Sequence, residues 1–177
     1  MKRIATLTDR KVLRRGGFSL VKPRMTARAI LKNREGLYAV MYSEKFKLYS
    51  LPGGGIEPGE TPAKALRREL LEETGCRCVS IQGVGIVEEN RAYCNFTQRS
   101  FYYAVETEEP YEAPKPTDKE RKNKTVVLWL PFEELYDRIA SPNHTTNQRK
   151  YVQARDLAAL DAYKQKNGKK SAASSLR

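Results

Sequence analysis

Residues 54–76, GGIEPGETPAKALRRELLEETGC, leave little freedom to the fold of this chain. Thr61 is a favoured N-cap type, and Pro62 follows at the first helical position, where its missing N–H costs nothing. Gly75 can take the left-handed conformation that closes a helix. Within that helix Glu69, Glu72 and Glu73 stand at i, i+3 and i+4, so the three carboxylates share one face within an arc of about 100°. Ala63, Leu66 and Leu70 form the neighbouring stripe and are expected to pack on a sheet. At about 5.5 Å and an effective dielectric near 20, each pair of ionised carboxylates costs about 3 kcal/mol. Divalent cations relieve that repulsion, and magnesium prefers all-oxygen ligands of this kind.

The preceding segment, Leu51-Pro52-Gly53-Gly54-Gly55, lets the backbone approach a ligand closely, which makes Gly54 and Gly55 candidates for substrate contact. It is not a P-loop, because Glu60-Thr61 follows Gly59 where Lys-Ser/Thr is required. Nor does it carry the third glycine of the dinucleotide fingerprint.

As a pattern the stretch is G-x5-E-x7-R-E-U-x-E-E-x-G-U, with U a bulky aliphatic residue, running from Gly54 through Glu60, Arg68, Glu69, Leu70, Glu72, Glu73 and Gly75 to Cys76. The chain therefore resembles the Nudix hydrolases, which cut diphosphate bonds with divalent metal. Cys76 departs from the aliphatic position, but cysteine packs as a small apolar side chain. The resemblance implies an α/β fold, an α/β/α sandwich around a mixed β-sheet. It implies Mg²⁺, or Mn²⁺ in its place, held by Glu69, Glu72, Glu73 and the carbonyl of Gly53. Glu69 is the motif's candidate general base, with Glu120 as a candidate on a distal loop. Arg68 would orient the glutamates, with Glu60 pairing to it or lying in an outer shell. The metal would bridge diphosphate oxygens and lower the pKa of an attacking water.

Substrate class is only partly constrained. In the family, a proline about fifteen residues past the motif marks ADP-ribose enzymes, and Arg91 occupies that place. A tyrosine slightly farther on marks dinucleoside-polyphosphate enzymes, and Tyr93 stands there. Tyr93 could stack on a base or simply pack in a sheet. The expected activity is hydrolysis of a nucleoside diphosphate linked to a further group: a dinucleoside polyphosphate first, then a nucleoside triphosphate, nucleotide sugar or RNA 5′ end. The competing reading is a sensing or nucleic-acid-binding module on the same fold, with hydrolysis lost or incidental.

Elsewhere, residues 25–31 and 37–42 read as strands around an NREG turn, and 78–88 and 93–105 as a long hairpin broken at Glu89-Asn90. Gly83 and Gly85 suggest a bulge in its first arm. Residues 125–130 read as a further strand, followed by a short helix at Pro131. A last helix is expected over about 146–165 on Tyr151, Ala154, Leu157 and Leu160.

Residues 1–28 carry nine Lys or Arg against one Asp, and 145–177 eight against two, within a total net charge of +12. Basic ends around a weakly acidic middle would steer polyanions and support weak binding of RNA or polyphosphate. The expected organisation is a basic arm over 1–20, one catalytic domain over 21–166 and a disordered tail over 167–177, as monomer or homodimer. An odd count of three cysteines and a single His144, read as a surface loop residue, give no zinc site. Without a secretory or membrane-length apolar run, the expected location is cytoplasmic.

Overall fold

Strand β2 (Arg24–Lys32) is covered on both faces: Ala27, Ala29 and Leu31 enter one core and Ile30 the other. That pattern belongs to the middle of a layered sheet. The computed structural model that shows this describes residues 1–108, 111–115 and 117–174, with the side chains at 119, 120 and 169–174 left outside the description. β7 (Phe96–Thr107) runs parallel to β2 from Arg24↔Gln98 to Lys32↔Glu106. On its other side β2 meets the short antiparallel β5 (Gly53–Gly55) and the start of β3 (Tyr38–Ser43). β3 in turn pairs with β4 (Leu48–Ser50) and β8 (Thr125–Leu130). β6 (Cys78–Arg91) forms a long antiparallel hairpin with β7, and its register slips between Gly83 and Gly85, as those glycines suggest.

One face of this mixed eight-stranded sheet is covered by α2 (Pro62–Thr74) through Ala65, Leu66 and Leu70. Ala65 is fully buried where the sequence reading placed Ala63. Cys76 closes the same core at 1% exposure, so the cysteine serves the packing role of the aliphatic residue it replaces. The opposite face carries α4 (Phe132–Ala140) and α5 (Asn147–Ser174), which contribute Leu135, Ile139, Tyr151 and Leu160. The α/β/α sandwich with a mixed sheet is therefore observed.

Several expectations are corrected. Residues 3–8 are not part of a free arm: they form β1 (Arg3–Thr8), paired in parallel with β6. A short α1 (Asp9–Val12) follows, capped by the Thr8 side chain. The hairpin turns at residues 92–95 instead of 89–90, where a 3₁₀ turn leads to Asn95 at φ 48°. Asparagine tolerates that left-handed conformation, so the turn has a local cause. Tyr93 consequently lies in the turn, not in a strand. α5 runs through Ser174, well past residue 165 and through most of the supposed tail; its Lys- and Ala-containing end is compatible with helix. Residues 175–177 lie outside the described residues. His144 is 7% exposed, not a surface residue. Among the described residues no helix is long and apolar enough to cross a membrane.

Candidate active site

The glycine strand β5 is where the two halves of the site meet. Thr61 caps α2 by accepting from Lys64 N, and Gly75 ends the helix at φ 71°, so the acidic turn between them is fixed in register. Arg68 projects from that turn as a fork. Its Nε donates to Glu60 Oε1 at 2.9 Å and its Nη2 to Glu60 Oε2 at 3.0 Å, while Nη2 also reaches the Gly55 carbonyl at 3.0 Å. Its Nη1 donates to Glu69 Oε1 at 2.9 Å and, more weakly, to Glu72 Oε2 at 3.5 Å. Arg68 is thus paired with Glu60 and placed between Glu69 and Glu72. The Arg68 hydrogen bonds lower the Glu60 carboxyl pKa to about 2.

Glu69 stands against Gly54 so closely that any side chain at 54 would meet its carboxylate. Burial raises the Glu69 pKa, and Arg68 only partly opposes that shift. Glu73 accepts from Gly53 N at 2.6 Å, tying the helix to the glycine strand. Gly53 itself sits at φ 121° with the Ala27 backbone beside its Cα, a place where only glycine fits. Among the described residues no three His, Cys, Asp or Glu side chains are gathered into one metal-holding group. Glu69 and Glu72 are drawn to Arg68, and Glu73 to the Gly53 amide. The donor chemistry nonetheless suits a hard divalent cation: carboxylate oxygens on adjacent helical turns beside a glycine strand whose carbonyls are close by. Glu120 falls in α3 (Asp118–Lys122), but its side chain lies outside the described residues. The loop before α3 is held on α2, with Lys115 N donating to Glu72 O at 2.7 Å.

The sequence reading singled out Tyr93 but not the arginines that the fold gathers around it. A cleft of about 740 Å³ opens on the α5 side of the sheet, lined by Arg24, Arg28, Arg91 and Arg155 together with Tyr93 and Phe96. Arg24 reaches the edge of Gly55, so this cationic cleft and the acidic helix touch the same glycine strand. Arg28 donates from Nη1 to Leu51 O at 2.8 Å, while its buried Nε has no hydrogen-bond partner. Burial lowers the Arg28 pKa, and the Arg155 charge adds to the effect. An anion entering the cleft would relieve both strains. Arg91 is stacked over the Phe96 and Tyr151 rings at 5.1 and 4.9 Å and donates to Glu89 at 2.6 Å. Tyr93 is 38% exposed at the rim, with its amide on Asp9 Oδ2 at 2.7 Å.

Beneath the cleft, fully buried Asp156 accepts from Leu51 N at 2.9 Å, from the Tyr102 hydroxyl at 2.5 Å and from Arg155 Nε at 3.0 Å. Both backbone groups of Leu51, two residues before Gly53, are therefore clamped by side chains from α5 and β2. Burial opposes the charge on Arg155, yet Asp156, Tyr102 and Glu89 together raise its pKa.

The NUDIX domain family model matches residues 22–154. An RNA pyrophosphohydrolase of Bartonella clarridgeiae is 35% identical over 109 residues, covering 50% of this chain and 60% of that protein. An 8-oxo-(d)GTP phosphatase of Mycolicibacterium smegmatis is 29% identical over 115 residues, covering 64% of this chain and 33% of that protein. The chain thus spans less than two thirds of the length of either relative. A solved NUDIX hydrolase from Nitrosomonas europaea superposes with a TM-score of 0.58 over 80% of this chain and 88% of its own, at 21% identity, a likeness of fold. Members of the family generally use divalent metal ions. With its motif helix, glycine strand and sandwich in place, the chain belongs to the NUDIX domain family.

Proposed function

We propose that this protein is a Mg²⁺-dependent pyrophosphohydrolase that cleaves a phosphoanhydride at the 5′ polyphosphate end of a nucleotide or RNA. One observation carries the reading: four arginines line a cleft, and two of them reach toward the acidic helix, Arg24 beside Gly55 and Arg28 within electrostatic range of Glu69 and Glu73. A polyphosphate held by these arginines would extend toward the glycine strand and Glu69. Magnesium, or manganese in its place, would when bound neutralise diphosphate charge and acidify the attacking water, with Glu69, Glu72, Glu73 and the Gly53 carbonyl as its holders.

The protein's own groups supply the rest. Arg24 and Arg28 hold phosphate oxygens; Arg91 and Arg155 keep the cleft floor cationic. Gly54 and Gly55 allow the chain to approach the anhydride. Glu69, held by Arg68 against Gly54, accepts the proton of the attacking water at a carboxylate oxygen. Arg68 keeps Glu69 and Glu72 aimed without itself transferring a proton. Tyr93 offers a half-exposed ring at the rim for a base. Relatives named as acting on RNA and on an oxidised nucleotide support this substrate class. RNA 5′ ends and nucleoside triphosphates therefore stand ahead of dinucleoside polyphosphates as its substrates.

The test is phosphate and pyrophosphate release from a panel of 5′-triphosphorylated RNA, nucleoside triphosphates and dinucleoside polyphosphates with Mg²⁺ or Mn²⁺. Glu72→Gln and Glu73→Gln should each remove most turnover while the unfolding midpoint stays near wild type. A variant that turns over at the wild-type rate would remove that glutamate from the mechanism. A folded wild-type protein inert to the whole panel would refute the hydrolase reading.

A further inference from the structure

The segment over residues 10–24, RKVLRRGGFSLVKPR, has no place in the chemistry above apart from Arg24 at its end. It carries six exposed cations, Arg10, Lys11, Arg14, Arg15, Lys22 and Arg24, and no acid. Its centre is held firmly. Ser19, 5% exposed, is gripped by Asn90, whose Oδ1 accepts from Ser19 N at 2.8 Å and whose Nδ2 donates to Ser19 O at 2.8 Å. Ser19 Oγ reaches Asn95 Oδ1 at 2.7 Å, and Thr97 Oγ1 donates to Val21 O at 2.8 Å. Four side-chain bonds thus fasten this stretch to the β6–β7 turn.

What the fastening displays is apolar. Phe18 is 71% exposed and Leu20 91%, on either side of the buried Ser19. They border a hollow of about 290 Å³ that Val21 and Pro23 also line. Immobilising a phenylalanine and a leucine in water gains nothing for the fold, since neither is buried by it. The hollow and the arginine cleft are neighbours. Gln98 lines both, and the consecutive pairs Pro23–Arg24, Asn90–Arg91 and Phe96–Thr97 divide between them. Glu88, in the hollow's wall, is neutralised by Arg3 at 3.1 Å and Arg99 at 2.7 Å. The occupant that fits is a polyanion with flat apolar groups along it, beginning in the cleft and leaving past Pro23. Single-stranded RNA has that chemistry, and an exposed aromatic on an anchored backbone among cations is a surface on which its bases can stack.

We propose that residues 16–23 form a stacking platform for single-stranded RNA, continuing the path of a 5′ polyphosphate end seated in the cleft. The proposal rests on the cleft reading for its starting point and adds to it the substrate class, RNA in preference to mononucleotides.

The experiment compares wild type with the double variant Phe18→Ala, Leu20→Ser, whose two sites are exposed and leave the core intact. Hydrolysis of a short unstructured 5′-triphosphorylated RNA is measured beside hydrolysis of ATP. Binding of the same RNA with a 5′-hydroxyl end is followed by fluorescence anisotropy. Stacking loss should raise KM for the RNA about ten-fold and weaken 5′-hydroxyl RNA binding by a similar factor. The kcat on RNA and both constants for ATP should not change. Asn90→Ala, which frees Ser19, should reproduce the RNA effect in part. Unchanged RNA binding and KM in the double variant would overturn the platform. So would a wild-type dimer that the variant converts to monomer with RNA kinetics intact, which would assign the face to self-association. Wild-type protein that hydrolyses neither substrate, yet binds 5′-hydroxyl RNA in a Phe18-dependent way, would refute the cleft reading and leave the platform standing.

Discussion

Replacing Gly54 by alanine should silence the protein without unfolding it. The new Cβ would stand 2.5 Å from Glu69 Cδ and 2.6 Å from Glu69 Oε1. Ordinary contact between carbon atoms is about 3.5–4.0 Å, so the carboxylate must retreat by about 1 Å. The clash falls on the far end of a flexible side chain and Gly54 does not need a positive φ, so the backbone stays where it is. An off-rotamer Glu69 costs about 0.5–1.5 kcal/mol of stability. Catalysis suffers more: a 1 Å displacement of a reacting group costs about 100-fold in rate, or about 2.7 kcal/mol of barrier. Gly53→Ala is the contrasting control. Its Cβ would stand 2.8 Å from Arg28 Cα and 3.1 Å from the Ala27 carbonyl carbon, at φ 121°, so backbone must move against backbone. That variant should lose several kcal/mol of stability, by the strain and overpacking routes together. The assay pairs kcat/KM on a triphosphorylated substrate with urea unfolding of both variants. Gly54→Ala at wild-type turnover would refute the placement of Glu69. Gly54→Ala unfolding as readily as Gly53→Ala would refute the claim that only a side chain yields.

Two further outcomes follow from buried groups. Asp156→Asn leaves Arg28 and Arg155 without their shared counter-charge and weakens the hold on Leu51, so unfolding free energy should drop by about 3–5 kcal/mol, measured by urea titration. A loss within about 0.5 kcal/mol would show that the clamp contributes little. His144 has its pKa lowered by burial, with Arg149 adding to the shift. Its folded pKa lies below the unfolded value near 6.5, so the stability present above that pH should fall as pH drops toward the folded pKa. His144→Gln should flatten the unfolding midpoint over that interval, and an unaltered slope would acquit the histidine.

The acidic helix was legible because each of its signals is local. Thr61, Pro62 and Gly75 set its ends by backbone chemistry, and the 3.6-residue period puts its carboxylates together without reference to the rest of the chain. The bulge at Gly83–Gly85 and the strand at 125–130 were readable for the same reason. The cleft was not, since its arginines come from positions 24, 28, 91 and 155 and only the sheet and α5 bring them together. One clue was available: Arg28 interrupts the otherwise uncharged strand MTARAIL, where a charge must either pair or serve a ligand. β1 was hidden by its setting, an alternating six-residue strand inside a strongly basic stretch, and its pairing with β6 is more than eighty residues away in sequence. Tyr93 was placed at the right spacing but in the wrong element, because Asn95 and not Asn90 takes the left-handed turn.

The Tyr151 hydroxyl bonds to Asp9 at 2.6 Å across 142 positions, and the Asp156–Leu51 bond spans 105. A polypeptide leaving the ribosome therefore possesses the acidic helix long before it can erect the walls around it. Until α5 has been made the glycine strand has nothing on that face to brace it, so the clamp on Leu51 can form only after the acidic helix.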